Sequence, residues 1–114
     1  MQREQRFVDA GELAWETAGE GVKRQIMTFD NDLMMVKVAF ETGGIGTLHN
    51  HPHTQISYVE RGRFEIDIDG TKRELKAGDA YYIPPYVMHG AVCLEAGVLV
   101  DVFTPMREDF LNHD

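Results

Sequence analysis

Positive charge, cysteine, proline and long apolar runs are all scarce in this chain of 114 residues. Eleven Lys and Arg stand against 19 Asp and Glu, for a formal net charge of −8. No basic cluster interrupts that balance, so nucleic acid is an unsuitable partner. An anionic small molecule would need locally placed cations against the overall field, and Lys23, Arg24, Lys37 and Arg107 are the candidates. The single cysteine, Cys93, excludes an internal disulfide and makes a cytoplasmic setting the expectation. No apolar run approaches the roughly 20 residues of a membrane span, and no membrane partner is expected. The opening MQREQRFVDAGELAWE has neither an apolar core nor a small-residue cleavage site, so it does not read as a signal peptide.

What is present is a single globular domain, 43% hydrophobic and 26% charged, whose length suits one core. The domain is expected to span residues 1–114. The polar residues 1–12 are expected to be loose or exchanged between subunits. The rest reads as short strands broken by turn residues, the pattern of a sandwich or barrel. Val22 to Phe29 and Leu33 to Phe40 are strands around the turn Asp30-Asn31-Asp32. Gly43 to Gly46 makes a flexible bend. Ser57 to Glu60 is a strand ending at a break at Arg61-Gly62. Phe64 to Ile68 alternates apolar with acidic residues, as a half-exposed strand does. Asp69-Gly70 is a two-residue hairpin turn. Gly78-Asp79 is a second turn, and Ala80 to Ile83 a strand ended by Pro84-Pro85. Ala91 to Leu94 and Val98 to Phe103 form the last two strands, joined at Glu95-Ala96-Gly97. Thr104-Pro105 reads as a helix N-cap followed by proline at the first helical position, which predicts a short C-terminal helix over about Pro105 to Leu111.

Against this background the histidines stand out. Gly43, His49, His51, Gln55 and Gly62 fit G-x5-H-x-H-x3-(E/Q)-x6-G, and Gly78, Pro84 and His89 fit G-x5-P-x4-H only 15 residues later (63–77). The two halves together resemble the paired motifs of the cupin superfamily, in which these positions form one metal site. On a strand His49 and His51 would point the same way, and Gln55 shares their parity if the strand continues past Pro52. His89 must arrive from another strand. Three neutral imidazoles and an amide oxygen suit one divalent ion, Zn, Ni, Mn or Fe. Gln in place of the commoner acidic ligand leaves the ion's charge less neutralised, which favours Lewis-acid work and leaves redox chemistry open. The string HNHPHTQ offers four donors, so His53 competes with Gln55 as the fourth ligand; otherwise it supports the ligands or contacts substrate.

Outside the motifs Asp101 is the sharpest residue. In VLVDVF it shares a face with Leu99 and Phe103, so it either faces solvent or is buried for a purpose. Burial would raise its pKa and a nearby ion would lower it, opposing pressures that suit proton transfer. Arg107 reads by itself as a helix-surface cation, and Cys93 as a buried, inert thiol. Trp15, Tyr81, Tyr82 and Tyr86 read as core or rim aromatics, any one tyrosine being able to lend a hydroxyl to the pocket. Met34, Met35, Met88 and Met106 read as packing residues.

A narrower resemblance covers Trp15 to Leu111. The segments WETAGEGVKRQIM, NDLMMVKVAFE, LHNHPHTQISYV, AGDAYYIPP and HGAVCLEAGVLVDVFTPMREDFL look like those of the KdgF pectin-degradation proteins. The ending, Cys93 to Gly97 followed by D-x-F-x-P-x-R-E-D, is far more specific than the cupin motifs. The resemblance implies an all-β, single-domain cupin barrel, a double-stranded β-helix or jelly roll. It also implies an enzyme that converts 4,5-unsaturated monouronates, from pectin or alginate breakdown, to their linear keto forms. Carried over, His49, His51, Gln55 and His89 would hold the metal, and Asp101, Phe103 and Arg107 would be the catalytic or substrate-contacting set. A homodimer is the superfamily expectation. The rival readings are a dioxygenase using Fe(II) and O2 and a non-catalytic sugar-binding cupin. The chain departs from the general cupin pattern at Tyr86, where glycine is usual, and at Cys93, where asparagine is usual.

Overall fold

Eight strands run through the described residues, and two of them are long enough to serve both layers of a sandwich. The computed structural model describes residues 5–111. The strands are β1 (Glu16–Gly19), β2 (Val22–Phe29), β3 (Met34–Phe40), β4 (Ile45–His49), β5 (Thr54–Ile68), β6 (Thr71–Lys76), β7 (Ala80–Ile83) and β8 (His89–Thr104). All pairings are antiparallel, in the order β1-β2-β3-β8-β5-β6, with β4 added to β8 and β7 to β5. The first half of β5 pairs with β7 and with the last half of β8. Its second half pairs with β6 and with the first half of β8.

The crossing from one layer to the other explains two differences from the sequence reading. Arg61-Gly62 does not end a strand, and Glu95-Ala96-Gly97 does not separate two. Both are bends inside continuous strands, where the β5–β8 register shifts between Val59 and Phe64. Gly62 has φ +86°, and its Cα lies so close to Gly97 that a Cβ on either would overlap the opposite strand's backbone. Side chains are excluded there, so the two bent strands touch backbone to backbone.

The core has two parts, and the first spans these bends. Phe40, Val59, Phe64, Ile66, Cys93 and Leu99 form the first, with Phe40 and Phe64 edge to face at 5.2 Å. Ile26, Phe29, Met34, Val36 and Phe103 form the second, sealed by Met106, Phe110 and Leu111. Each such apolar side chain contributes about 1.5–3 kcal/mol on burial. Asp69 (φ 52°) and Gly70 (φ 84°) make the expected primed hairpin turn between β5 and β6. Tyr86 takes φ 65°, the left-handed conformation natural to the glycine usual there. Its amide donates to the His51 carbonyl at 2.8 Å, tying the turn before His89 to the histidine loop.

The C-terminal helix differs from expectation. Thr104 does not cap a helix: it closes β8, paired with Thr54, and joins Pro105 through a cis peptide. Within the described part of this segment only Glu108–Phe110 is helical, a single 3-10 turn after Arg107, with no side-chain cap. The β5 ladder holds Thr104 extended, and Arg107 and Phe110 turn inward onto Phe103 instead of continuing a helix. At the other end, Gln25 donates to the carbonyls of Ala10 and Leu13, so the 3-10 turn Ala10–Glu12 lies against β2 of its own chain. Residues 1–4 of the expected loose segment lie outside the described residues.

Candidate metal centre and acid site

Two strand ends and one loop bring the three motif histidines together. His49 ends β4 and pairs directly with His89 at the start of β8. His51 is not on a strand: β4 stops at His49 and β5 begins at Thr54. Simple strand alternation therefore does not align the ligands. Pro52 interrupts the ladder, and the loop returns His51 to the same point, its carbonyl held by Tyr86. One nitrogen from each of His49, His51 and His89 lies within 4.8 Å of the others.

The hydrogen bonds prepare these rings as ligands. Nδ1 of His49 faces the Thr47 carbonyl at 2.7 Å, that of His89 faces Val87 at 2.9 Å, and that of His51 faces His53 at 3.2 Å. A carbonyl only accepts, so in the tautomer that serves these contacts Nδ1 carries the proton and Nε2 is free to bind an ion. Burial disfavours the charged form of two of them: the pKa of His51 is lowered, and that of His89 is pulled down to about 4. Nε2 of His89 is buried without a hydrogen-bond partner. Nε2 of His51 lies 2.9 Å from Gln55 Oε1, hydrogen-bond distance for the tautomer with its proton on Nε2. With the proton on Nδ1 instead, the ring nitrogens and the Gln55 oxygen are all free to donate to one cation, so the donor set fits a divalent ion. His53 is not in this cluster. Its Nε2–H donates to the Met106 carbonyl at 3.2 Å, toward the C-terminal segment.

Gln55 is the second residue of β5 and stands across from Phe103 of β8. Two residues on, Ser57 stands between Tyr81 of β7 and Asp101 of β8. Ser57 is fully buried, and its hydroxyl donates to Asp101 Oδ1 at 2.6 Å while Gln55 Nε2 donates to Ser57 at 2.9 Å. Asp101 thus faces inward with Leu99 and Phe103. Burial pushes its carboxyl up to about 6, against the Ser57 hydrogen bond and the Arg107 charge, which pull it down. Burial also raises the pKa of Tyr81, whose hydroxyl bonds to Ser57 as well. Tyr81 is therefore the tyrosine that reaches the polar cluster.

Arg107 is buried, with its guanidinium 5.1 Å from the Phe103 ring centroid and 4.2 Å from that of Phe110. It is not a helix-surface cation. Its Nε and Nη2 donate to Asp109 at 3.0 and 2.7 Å, a bidentate pair that holds the Asp109 carboxyl below its usual range. Arg24 lies 4.0 Å from the Phe110 centroid and pairs with Glu16. Of the four candidate cations, Arg24 and Arg107 line the same open cavity as His49, His89, Gln55 and Asp101. Lys37 pairs instead with Glu60, and Lys23 is exposed. Cys93 is buried, with its thiol pKa raised by that burial, and packs in the first core.

Ser57 and Asp109 are the members of this set that the sequence reading passed over. Between Gln55 and Val59 the polar residues face inward while Ile56 and Tyr58 face out. That inversion follows from the pairing register with β7 and β8, which the sequence alone does not show. The repeated carboxylate after Arg107 was the signal for Asp109.

A β-sandwich with an inward cluster of histidines at one end of its cavity defines the cupin class, and the cupin domain family matches residues 36–103. Pectin degradation protein KdgF of Dickeya dadantii is 54% identical over 107 residues, 92% of this chain and 96% of that protein. The chain belongs to the cupin family and, within it, to the KdgF proteins. Among solved structures, KdgF from Halomonas sp. superposes with a TM-score of 0.89 at 41% identity, covering 93% of this chain and 98% of that one. An RmlC-like cupin from Shewanella frigidimarina gives 0.92 at 44% identity, covering 96% and 99%.

Proposed function

We propose that this protein is a metal-dependent enzyme of uronate breakdown that converts 4,5-unsaturated monouronates to their linear keto forms. The observation that supports it most is the placement of a buried, protonatable Asp101 and the Arg107 fork on the wall of the cavity that His49 and His89 also line. Kinship with a pectin degradation protein supplies the substrate class.

His49, His51, His89 and Gln55 would hold one divalent ion, which supplies Lewis-acid polarisation of the sugar oxygens. The arginine fork grips a carboxylate bidentately, and Asp109 now occupies the position a ligand carboxylate would take. Phe103 packs beside the histidine rings and Arg107, 5.7 Å from His51, and keeps water from that wall. Asp101 carries a proton between the anomeric hydroxyl and the carbon that becomes CH2. Such acid–base help is worth about 10²–10⁴-fold.

A homodimer and a cytoplasmic location belong to the same proposal. Met35, Val102, Ile56 and Tyr82 form one cross-strand row, and Ile56 and Tyr82 are more than half exposed on the outer face. Among the described residues no helix is long and apolar enough to cross a membrane.

Product analysis tests the reaction. Incubated with an unsaturated monouronate, the metal-loaded protein is expected to yield a linear keto acid with a new methylene signal by NMR. Unchanged substrate, at a rate no faster than its spontaneous conversion, would remove the proposal.

A further inference from the structure

The hydrogen bonds around Ser57 have a direction, and that direction reaches both functional groups. Ser57 has one hydroxyl proton. At 2.6 Å from Asp101 Oδ1, with the carboxylate ionised, that proton belongs to the Ser57–Asp101 bond. The serine oxygen then offers only lone pairs to its other neighbours. Gln55 Nε2, at 2.9 Å, must donate into it. The amide is therefore oriented with its NH2 on Ser57 and its oxygen on the histidine side, where Oε1 stands 2.9 Å from His51 Nε2. Ser57 is fully buried between Tyr81 and Asp101, so no water competes for these bonds.

We infer that Ser57 is a positioning residue that turns the Gln55 amide oxygen toward the metal and holds Asp101 with the same hydroxyl, and that this shared proton is the reason residue 55 is Gln rather than Glu. A carboxylate at position 55 has no proton to give Ser57. That carboxylate and Asp101 would compete for the one hydroxyl proton, and the loser would face a bare oxygen in a dry site. An amide satisfies both ends at once. The inference rests on the metal and acid roles proposed above, and it ties the two together: the ligand and the acid are set by one side chain.

The test uses the full-length protein at a pH well above the pKa of Asp101, with Zn(II), Mn(II) or Ni(II) affinity measured by competition with a colorimetric chelator, beside thermal midpoint and turnover. Ser57→Ala is expected to weaken metal affinity by about 10–100-fold and to lower kcat more than it changes KM, in the range typical of groups that orient metal ligands. Gln55→Glu is expected to bind the ion at least as tightly, yet to lose kcat, because Asp101 loses its hydrogen bond. A Ser57→Ala protein that loses only thermal stability, with wild-type metal affinity and kcat, would overturn the inference. So would full turnover by Gln55→Glu, a variant that keeps the size of residue 55 and tests the claim if Ser57→Ala does not fold. A wild-type protein that binds none of these ions removes the metal-centre reading itself, and with it the inference. Binding without turnover removes only the proposed reaction, and the affinity comparison still decides the role of Ser57.

Discussion

At the scale of single residues, Asp101 carries the largest consequences. Its carboxyl is raised from the usual range to about 6 by burial. A raised carboxyl means the folded state binds more protons than the unfolded chain between roughly pH 4 and 6, so stability falls as pH rises through that window. In chelator-stripped protein, Asp101→Asn removes that cost. The variant is expected to be more stable than wild type above pH 6, by no more than about 2–3 kcal/mol. The difference should shrink toward zero below pH 4 in thermal melts run across that range. The same variant should keep its metal content and lose about 10²–10⁴-fold in kcat. Equal kcat would deny Asp101 its role, whatever the melts show. Residue identities at the site were legible because spacing survives folding: the two histidine motifs name His49, His51 and His89 without any knowledge of the path between them. Ser57 was not legible, because a serine inside QISYV has the polarity of an outward position. Its inward placement depends on the register that sets it opposite Asp101 and Tyr81.

At the scale of elements, the long strands β5 and β8 are the decisive feature, because β5 supplies Gln55 and Ser57 while β8 brings His89 from its start and Asp101 from near its end to one site. The sequence marked Val22–Phe29, Ala80–Ile83 and the Asp69-Gly70 hairpin within a residue or two, since local alternation and turn chemistry decide them. It cut β5 and β8 in two, because a glycine inside an antiparallel pair reads as a terminus unless its partner strand bends with it. Gly62 and Gly97 bend together. Gly97→Ala is expected to force those strands apart, at a cost of about 1–3 kcal/mol for overpacking. That is a fall of several degrees in the midpoint of thermal unfolding. An unchanged midpoint would mean the backbone contact is not what sets the bend. The C-terminal turn differs from expectation for a related reason: pairing of Thr104 with Thr54 carries the ladder as far as the residue whose side chain looks like a cap.

At the scale of the whole molecule, an acidic chain places two arginines, Arg24 and Arg107, at the cavity that opens onto the histidines. The net field repels anions, so local cations and a bound ion must provide the attraction for a uronate. A bound ion also stabilises the fold that forms its site. Loading at about 100 times Kd adds roughly 2.7 kcal/mol, so the thermal midpoint should rise on adding the ion and return on chelation. A midpoint insensitive to every divalent ion would speak against a metal centre. The most direct test of the central claim is the rate at which the conjugated C4=C5 ultraviolet absorbance of an unsaturated monouronate disappears, with metal-loaded and with chelator-stripped protein. Rapid loss is expected with the loaded protein and only the spontaneous rate after stripping. Equal rates in the two samples, for both galacturonate-derived and mannuronate-derived substrates, would contradict it.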